Sequence, residues 1–178
     1  MRKMTSLLLV FALALVLSCQ QAPQIPQEPT EAPIDYAAIS TLLEQQQQTY
    51  AQAWCNKDMD TISGMWSHDD DVTLWGPAER KRIKGWDGEN GIKAWYVAGM
   101  SKMAKIDFKI HDLNIKVGRD GRCAVITYYV ENDFVDNDGN KGKLTPRVTV
   151  VKEIQNGSWK CIFGDAHYSI ADVKELGL

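Results

Sequence analysis

The sequence predicts an α+β domain in which three N-terminal helices pack on a curved, mainly antiparallel sheet with a bulged strand near residues 111–112. Three observations carry this. Helical periodicity fills the first half of the domain and strand alternation the second, which argues against a doubly wound sheet. The alternation changes parity once: Ile106, Phe108 and Ile110 share one face, but the next apolar set is Leu113, Ile115 and Val117. A one-residue slip would turn every later side chain to the wrong face, so an extra residue, a β-bulge at His111-Asp112, is the economical remedy. A strand bent there curls the sheet. Helices laid on its concave side make a cone with an apolar cavity at its open end.

The elements follow in order. From Ile34 to Asn56 the pattern is helical, with Ile39, Leu42, Leu43, Tyr50 and Trp54 on one face and Gln45 to Gln48 as a solvated stretch. Asp58 or Asp60 caps a second, short helix whose inner side is Met59, Ile62, Met65 and Trp66. Short strands are expected at Val72–Trp75, stopped by Gly76-Pro77, and at Arg82–Gly85. Asp87 is expected to cap a third helix, with Ile92, Trp95, Tyr96, Gly99 and Met103 along its apolar face. After the bulged strand and the turn Arg119-Asp120-Gly121, Cys123–Phe134 is apolar or aromatic on both faces and therefore central. A loop over 136–142 leads to a strand over Leu144–Ile154, and Asn156-Gly157 is a strong hairpin signal before Trp159–Tyr168.

Ahead of the domain, residues 1–18 read as an export signal: Arg2 and Lys3, then an unbroken apolar run from Leu7 to Leu17. That run is too short to span a bilayer as a helix, which needs roughly 20 apolar residues. Val16-Leu17-Ser18-Cys19 resembles a bacterial lipobox, making Cys19 the expected lipidation site and the membrane a partner through that lipid; ordinary cleavage after Ser18 is the alternative. Residues 19–34 then form a Pro/Gln-rich tether, with Pro23, Pro26, Pro29 and Pro33 favouring an extended chain. The domain proper is 35–178, exported and facing the periplasm or the cell surface.

Charge narrows the partners. The net charge is −3, and no basic run exceeds Arg80-Lys81-Arg82, so nucleic-acid binding by counterion release is not expected. Cys55, Cys123 and Cys161 show neither C-x-x-C nor zinc spacing and read as small hydrophobes. Asp136-Asn137-Asp138-Gly139-Asn140 imitates a calcium loop, but Lys141 stands where the loop needs glycine and Arg147 where it needs glutamate. It reads as a hairpin turn. His68-Asp69-Asp70-Asp71 reads as a solvated loop, and neither metal nor cofactor is expected.

Several runs together resemble the SnoaL-like branch of the nuclear transport factor 2-like superfamily. They are Trp54-Cys55-Asn56-Lys57-Asp58-Met59-Asp60, 71–77 (DVTLWGP), Lys84-Gly85-Trp86-Asp87-Gly88, 145–151 (TPRVTVV), and Asn156-Gly157-Ser158-Trp159-Lys160 followed by His167-Tyr168-Ser169. The resemblance covers 35–170 in the family's order. It implies the cone fold, often a homodimer through the outer face of the sheet, and functions as different as isomerase, cyclase, dehydratase and kinase association, so fold alone leaves enzymatic activity open.

The resemblance also directs Arg147 and His167 into the cone. Arg147 either clamps an anionic group of a ligand or pairs with Asp165 or Glu131. His167 either moves a proton, with Asp165 and Glu131 as the other candidate acids and bases, or is satisfied structurally. An extra residue near Gly164-Asp165 is expected to re-aim His167. Trp54, Trp66, Trp75, Tyr96 and Tyr129 are expected around a pocket for a small apolar or anionic molecule, or as core.

Overall fold

The computed structural model describes residues 33–77 and 82–168. The expected export signal, Cys19 and nearly all of the expected tether lie outside the described residues. Three helices, α1 (Tyr36–Asn56), α2 (Met59–Met65) and α3 (Ile92–Ser101), accompany seven strands: β1 (Thr73–Trp75), β2 (Ile83–Lys84), β3 (Met103–Val117), β4 (Cys123–Asp136), β5 (Lys141–Leu144), β6 (Arg147–Gln155) and β7 (Ser158–His167). The sheet order is β2-β1-β7-β6-β4-β3, with β5 beside β4. All pairs are antiparallel except β1 with β7. The fold is the expected α+β cone.

Local chemistry sets the helix boundaries. Asp35 caps α1 by accepting from Ala38 N–H at 2.9 Å, and Lys57 closes it in the left-handed region, its N–H bonding Ala53 and Trp54 carbonyls. Asp58 then caps α2 through Thr61 N–H at 3.0 Å. Asp87 does not cap α3. Gly91 stands at that boundary without a side-chain cap, and the N–H groups of Ile92 and Lys93 donate instead to the Gly85 and Trp86 carbonyls at 3.0 Å each. The loop before the helix replaces the missing cap with its own backbone. Met103, expected on α3, opens β3.

The bulge lies at the expected place. His111 pairs with Tyr129 and Asn114 with Thr127, so Asp112 and Leu113 together oppose Tyr128. Asp112 takes φ +51°, a conformation that a short polar side chain tolerates better than a branched one. The strand expected from Leu144 starts at Arg147 as β6, while Lys141–Leu144, expected mostly as loop, forms β5; Thr145-Pro146 separates them, since Pro146 has no N–H for the ladder. Both pieces still run along the same edge of β4. Asn156 and Gly157, at φ +51° and +78°, make the tight turn into β7. In the 136–140 turn, Asp136 Oδ1 accepts from Asp138 and Asn140 N–H, and its Oδ2 accepts from Asn140 Nδ2. These bonds hold its carboxyl below the usual range.

A second bulge was not anticipated at its position. Val151 pairs with Phe163 but Lys152 with Cys161, leaving Ile162 as an extra residue on β7. Before it Trp159 and Cys161 face the helices; after it Gly164 and Ala166 do. The core lies between helices and sheet, with Leu43, Ile62, Trp66, Trp86, Ile92, Tyr96, Ile126 and Tyr128 essentially buried. No described helix is long and apolar enough to cross a membrane.

Candidate functional site: the interior of the cone

A cavity of about 330 Å³ remains between α1, α3 and the concave face of the sheet. Its middle is aromatic. The Trp54 indole stacks on Phe108 at 5.5 Å with planes 4° apart, and meets Tyr96 at 5.4 Å. Trp66 meets Tyr96 edge-on at 6.0 Å. The mouth is marked by exposed wall residues, Ala98 and Lys102 at the end of α3, near Leu144 and Pro146. The opposite end is closed by Gln47, Met65, Lys152 and Cys161, all buried.

Polar groups sit where an apolar core would have none. Tyr50 and Tyr96 hydroxyls share a hydrogen bond of 2.8 Å. Burial pushes the Tyr50 phenol up to about 12 and those of Tyr96 and Tyr128 well above 10, so all three stay protonated donors. The Asn132 Oδ1 atom is buried without a hydrogen-bond partner among the described residues. Lys152 is the most unusual member. Only 3% exposed, its Nζ donates to Gln46 Oε1 at 2.6 Å, while Gln46 Nε2 donates to the Trp159 carbonyl at 3.1 Å. Among the described residues no carboxylate pairs with it. Desolvation pulls the ammonium down to about 8. Beside it burial raises the Cys161 thiol to about 12, leaving it neutral.

The side chains expected from sequence divide between two faces. Trp54, Trp66 and Tyr96 line the cavity. Arg147, Tyr129 and His167 lie in one cross-strand row and are all exposed, on the outer face. They do not enter the cone. Inward positions on β6 are Val148, Val150 and Lys152, and alternation turns Arg147 the other way. His167 is turned out by the Ile162 bulge, and its Nε2 donates to Asp165 Oδ2 at 2.8 Å. Asp165 touches the cavity wall, while its Oδ2 is engaged by His167 and its neighbours Gly164 and Ala166 take the inward positions. Glu131 pairs with Lys143 at 3.2 Å and alternates with inward Val130 and Asn132. Trp75 is 37% exposed, while its neighbour Leu74 lines the cavity.

Two cavity residues escaped the sequence reading. Gln47, in a stretch expected to be solvated, is 2% exposed; positions 43, 47, 50 and 54 share a helix face, which is the available signal. Lys152 shares parity with Val148, Val150 and Ile154, the more apolar row of β6, whereas Arg147 shares it with Thr149, Val151 and Glu153, so alternation is the available signal for the inner set.

A profile of the SnoaL-like domain matches residues 43–172. The chain belongs to the SnoaL-like family. Its fold is similar to that of a Streptomyces avermitilis protein of the NTF2-like family, a dehydratase by provisional assignment: TM-score 0.65, 16% identity, covering 75% of this chain and 98% of that one. It is similar to a nuclear transport factor 2-like superfamily protein of Salmonella enterica at TM-score 0.63 and 20% identity, covering 75% and 91%. The association domain of C. elegans CaMKII aligns at TM-score 0.58 and 18% identity, covering 74% and 96%. At such identities the likeness to these structures concerns the fold. No curated protein matches the sequence. Within the SnoaL-like scaffold, this chain places a hydrogen-bonded tyrosine pair and a buried lysine in the cavity.

Proposed function

We propose that this SnoaL-like domain binds a small, partly apolar molecule in its cone, and that it is exported and tethered to a membrane through a lipid on Cys19. The observation carrying the binding role is the aromatic-walled cavity of about 330 Å³, near the lower end of the ~300–1,000 Å³ typical of ligand sites. Its buried, unpartnered Asn132 Oδ1 is a group that a ligand or water would satisfy. The polar anchor proposed from sequence, Arg147, is not in this cavity. An isomerase-, cyclase- or dehydratase-type reaction would have to draw its proton transfers from Lys152 and the tyrosines, since His167, Asp165 and Glu131 direct their side chains elsewhere.

Binding is tested with neutral naphthalene and indole derivatives, read by quenching of Trp54 and Trp66. The wild type binds, and Val148→Trp, which fills the cavity, weakens binding at least tenfold while keeping its far-UV circular dichroism. A wild type that binds none of them, or a filled variant that binds equally well, overturns the proposal. Mass spectrometry of the membrane fraction tests the anchor: a Cys19→Ala chain still held in the membrane contradicts it.

The outer face of the sheet supports a second role. Trp75, Val125 and Tyr129 are exposed there at 37%, 40% and 49%, and a row running Phe163–Val151–Val125 crosses three strands. Such a surface suits a homodimer that buries about 800 Å² per subunit. Sedimentation of wild type against Val125→Lys tests it, with a monomeric wild type as the refuting result.

A further inference from the structure

We infer that the ligand of the cone is a small apolar acid whose anionic group, a carboxylate or its equivalent, docks on Lys152 at the closed end. The inference rests on the binding role proposed above and specifies its chemistry. Lys152 is a cation removed from water with one neutral hydrogen-bond partner, Gln46 Oε1. A buried ammonium has three donors and ordinarily recruits a counterion. The groups facing it supply none. From α1 come Gln46, Gln47 and Tyr50; from β4, Ala124 and Tyr128; from β7, the Cys161 thiol. Tyr50, Tyr128 and Cys161 remain protonated through neutral pH because burial raises all three. Lys160, the other charge acting on Lys152, is a second cation and disfavours its ammonium, though its own Nζ donates to the Gly64 carbonyl.

The geometry gives the ligand an orientation and a length. Along β6 the wall runs from Pro146 beside the mouth to Lys152 at the closed end, roughly 20 Å at ~3.3 Å per residue. Between them stand Tyr128, Trp54, Phe108 and Tyr96, which suit a flat apolar body and not a second charge. An acid entering tail-last therefore meets apolar surface along its length and a cation only where the cavity stops. Gln47 at 2% exposure offers a further amide beside that point.

The test compares 2-naphthoate with 2-naphthamide, which share a shape and differ in charge, on the full chain. Charge-assisted pairing in a dry site predicts that the wild type prefers the acid by roughly tenfold to a hundredfold. Lys152→Met removes that preference and keeps amide binding, whereas Lys102→Met at the mouth leaves the preference in place. Equal affinity of the wild type for both probes, or a preference that follows Lys102, overturns this inference and leaves the cavity's binding role standing. Failure of both probes to bind overturns both. A readout in the wild type alone guards against a misfolded variant: at pH 8–9 naphthoate, unlike naphthamide, must bind with proton uptake, measured by titration calorimetry in buffers of different ionisation enthalpy. Binding of the acid without proton uptake refutes the pairing.

Discussion

Substituting Lys152 by methionine should stabilise the protein at neutral pH. Burial lowers this ammonium from 10.5 to about 8, and at about 1.4 kcal/mol per pH unit the cation costs the folded state about 3 kcal/mol below pH 8. Methionine fills similar space without the charge, but leaves Gln46 Oε1 without its donor, a loss of about 1–2 kcal/mol. The net expectation at pH 7 is a gain of about 1–2 kcal/mol, read from urea denaturation. The sign with pH follows from proton counts. Between pH 8 and 10.5 the unfolded lysine holds its proton and the folded one has lost it, so wild-type stability rises with pH. The opposing group is Cys161, whose thiol is raised from 9.0 to about 12; above pH 9 the unfolded state loses this proton first and stability falls. The clean window is therefore pH 8 to 9, where the wild type gains about 1 kcal/mol and Lys152→Met gains none. Above pH 10 Tyr50, Tyr96 and Tyr128, all raised by burial, add to the fall. Parallel pH profiles of the two proteins between 8 and 9, or a variant less stable than wild type at pH 7 by more than about 1 kcal/mol, would refute the reasoning.

The other expectations concern single contacts. Arg147→Ala and His167→Ala, altered outside the cone, should leave naphthalene-probe affinity within about twofold of wild type; a tenfold loss in either would show that the outer face communicates with the cavity. Gly164→Ala should destabilise by about 1–3 kcal/mol in thermal or urea melts, because its Cβ would stand 2.9 Å from Trp66 Cη2 and 3.1 Å from Leu74 Cδ1. Tyr50→Phe leaves the buried Tyr96 hydroxyl without its 2.8 Å partner and should cost about 1–3 kcal/mol. At the first bulge, Asp112→Val should cost about 1–2 kcal/mol while Asp112→Gly stays near neutral, since φ +51° strains a branched residue.

The sequence made the elements legible because each rests on local rules. The parity change between Ile110 and Leu113 located the first bulge without any knowledge of partners, and Asn156-Gly157 located the last hairpin. The site was less legible because it depends on which face of each strand is inner. On β6 alternation favours Val148, Val150 and Ile154 over Arg147, Thr149 and Glu153 as the inner row, and it is the family resemblance, not the pattern, that points Arg147 inward. Gln47 lay in a run of four glutamines where composition says solvent, although its spacing from Leu43 and Tyr50 says core. An extra residue on β7 was expected near Gly164-Asp165; the register places it at Ile162, and its effect on His167 is the anticipated change of direction.

The two bulges act on different properties of the cone. The one at 112–113 bends β3 and so makes a concave face on which helices can leave a space. The one at Ile162 decides what lines that space. With regular alternation from Trp159, the residues facing inward would be Cys161, Phe163, Asp165 and His167, bringing a phenyl ring, a carboxylate and an imidazole under Trp66. The carboxylate would then be available to approach the lysine side of the cavity. With the bulge, glycine and alanine occupy that wall, and Gly164 lies so close to Trp66 that even a methyl group would collide. The small wall lets Trp66 and Leu74 pack against the sheet there, and the Asp165 carboxylate is engaged with His167 at 2.8 Å. Lys152 is thus left with Gln46 Oε1 as its hydrogen-bond partner and with no carboxylate paired to it among the described residues. That is the pairing which an anion with an apolar body would supply.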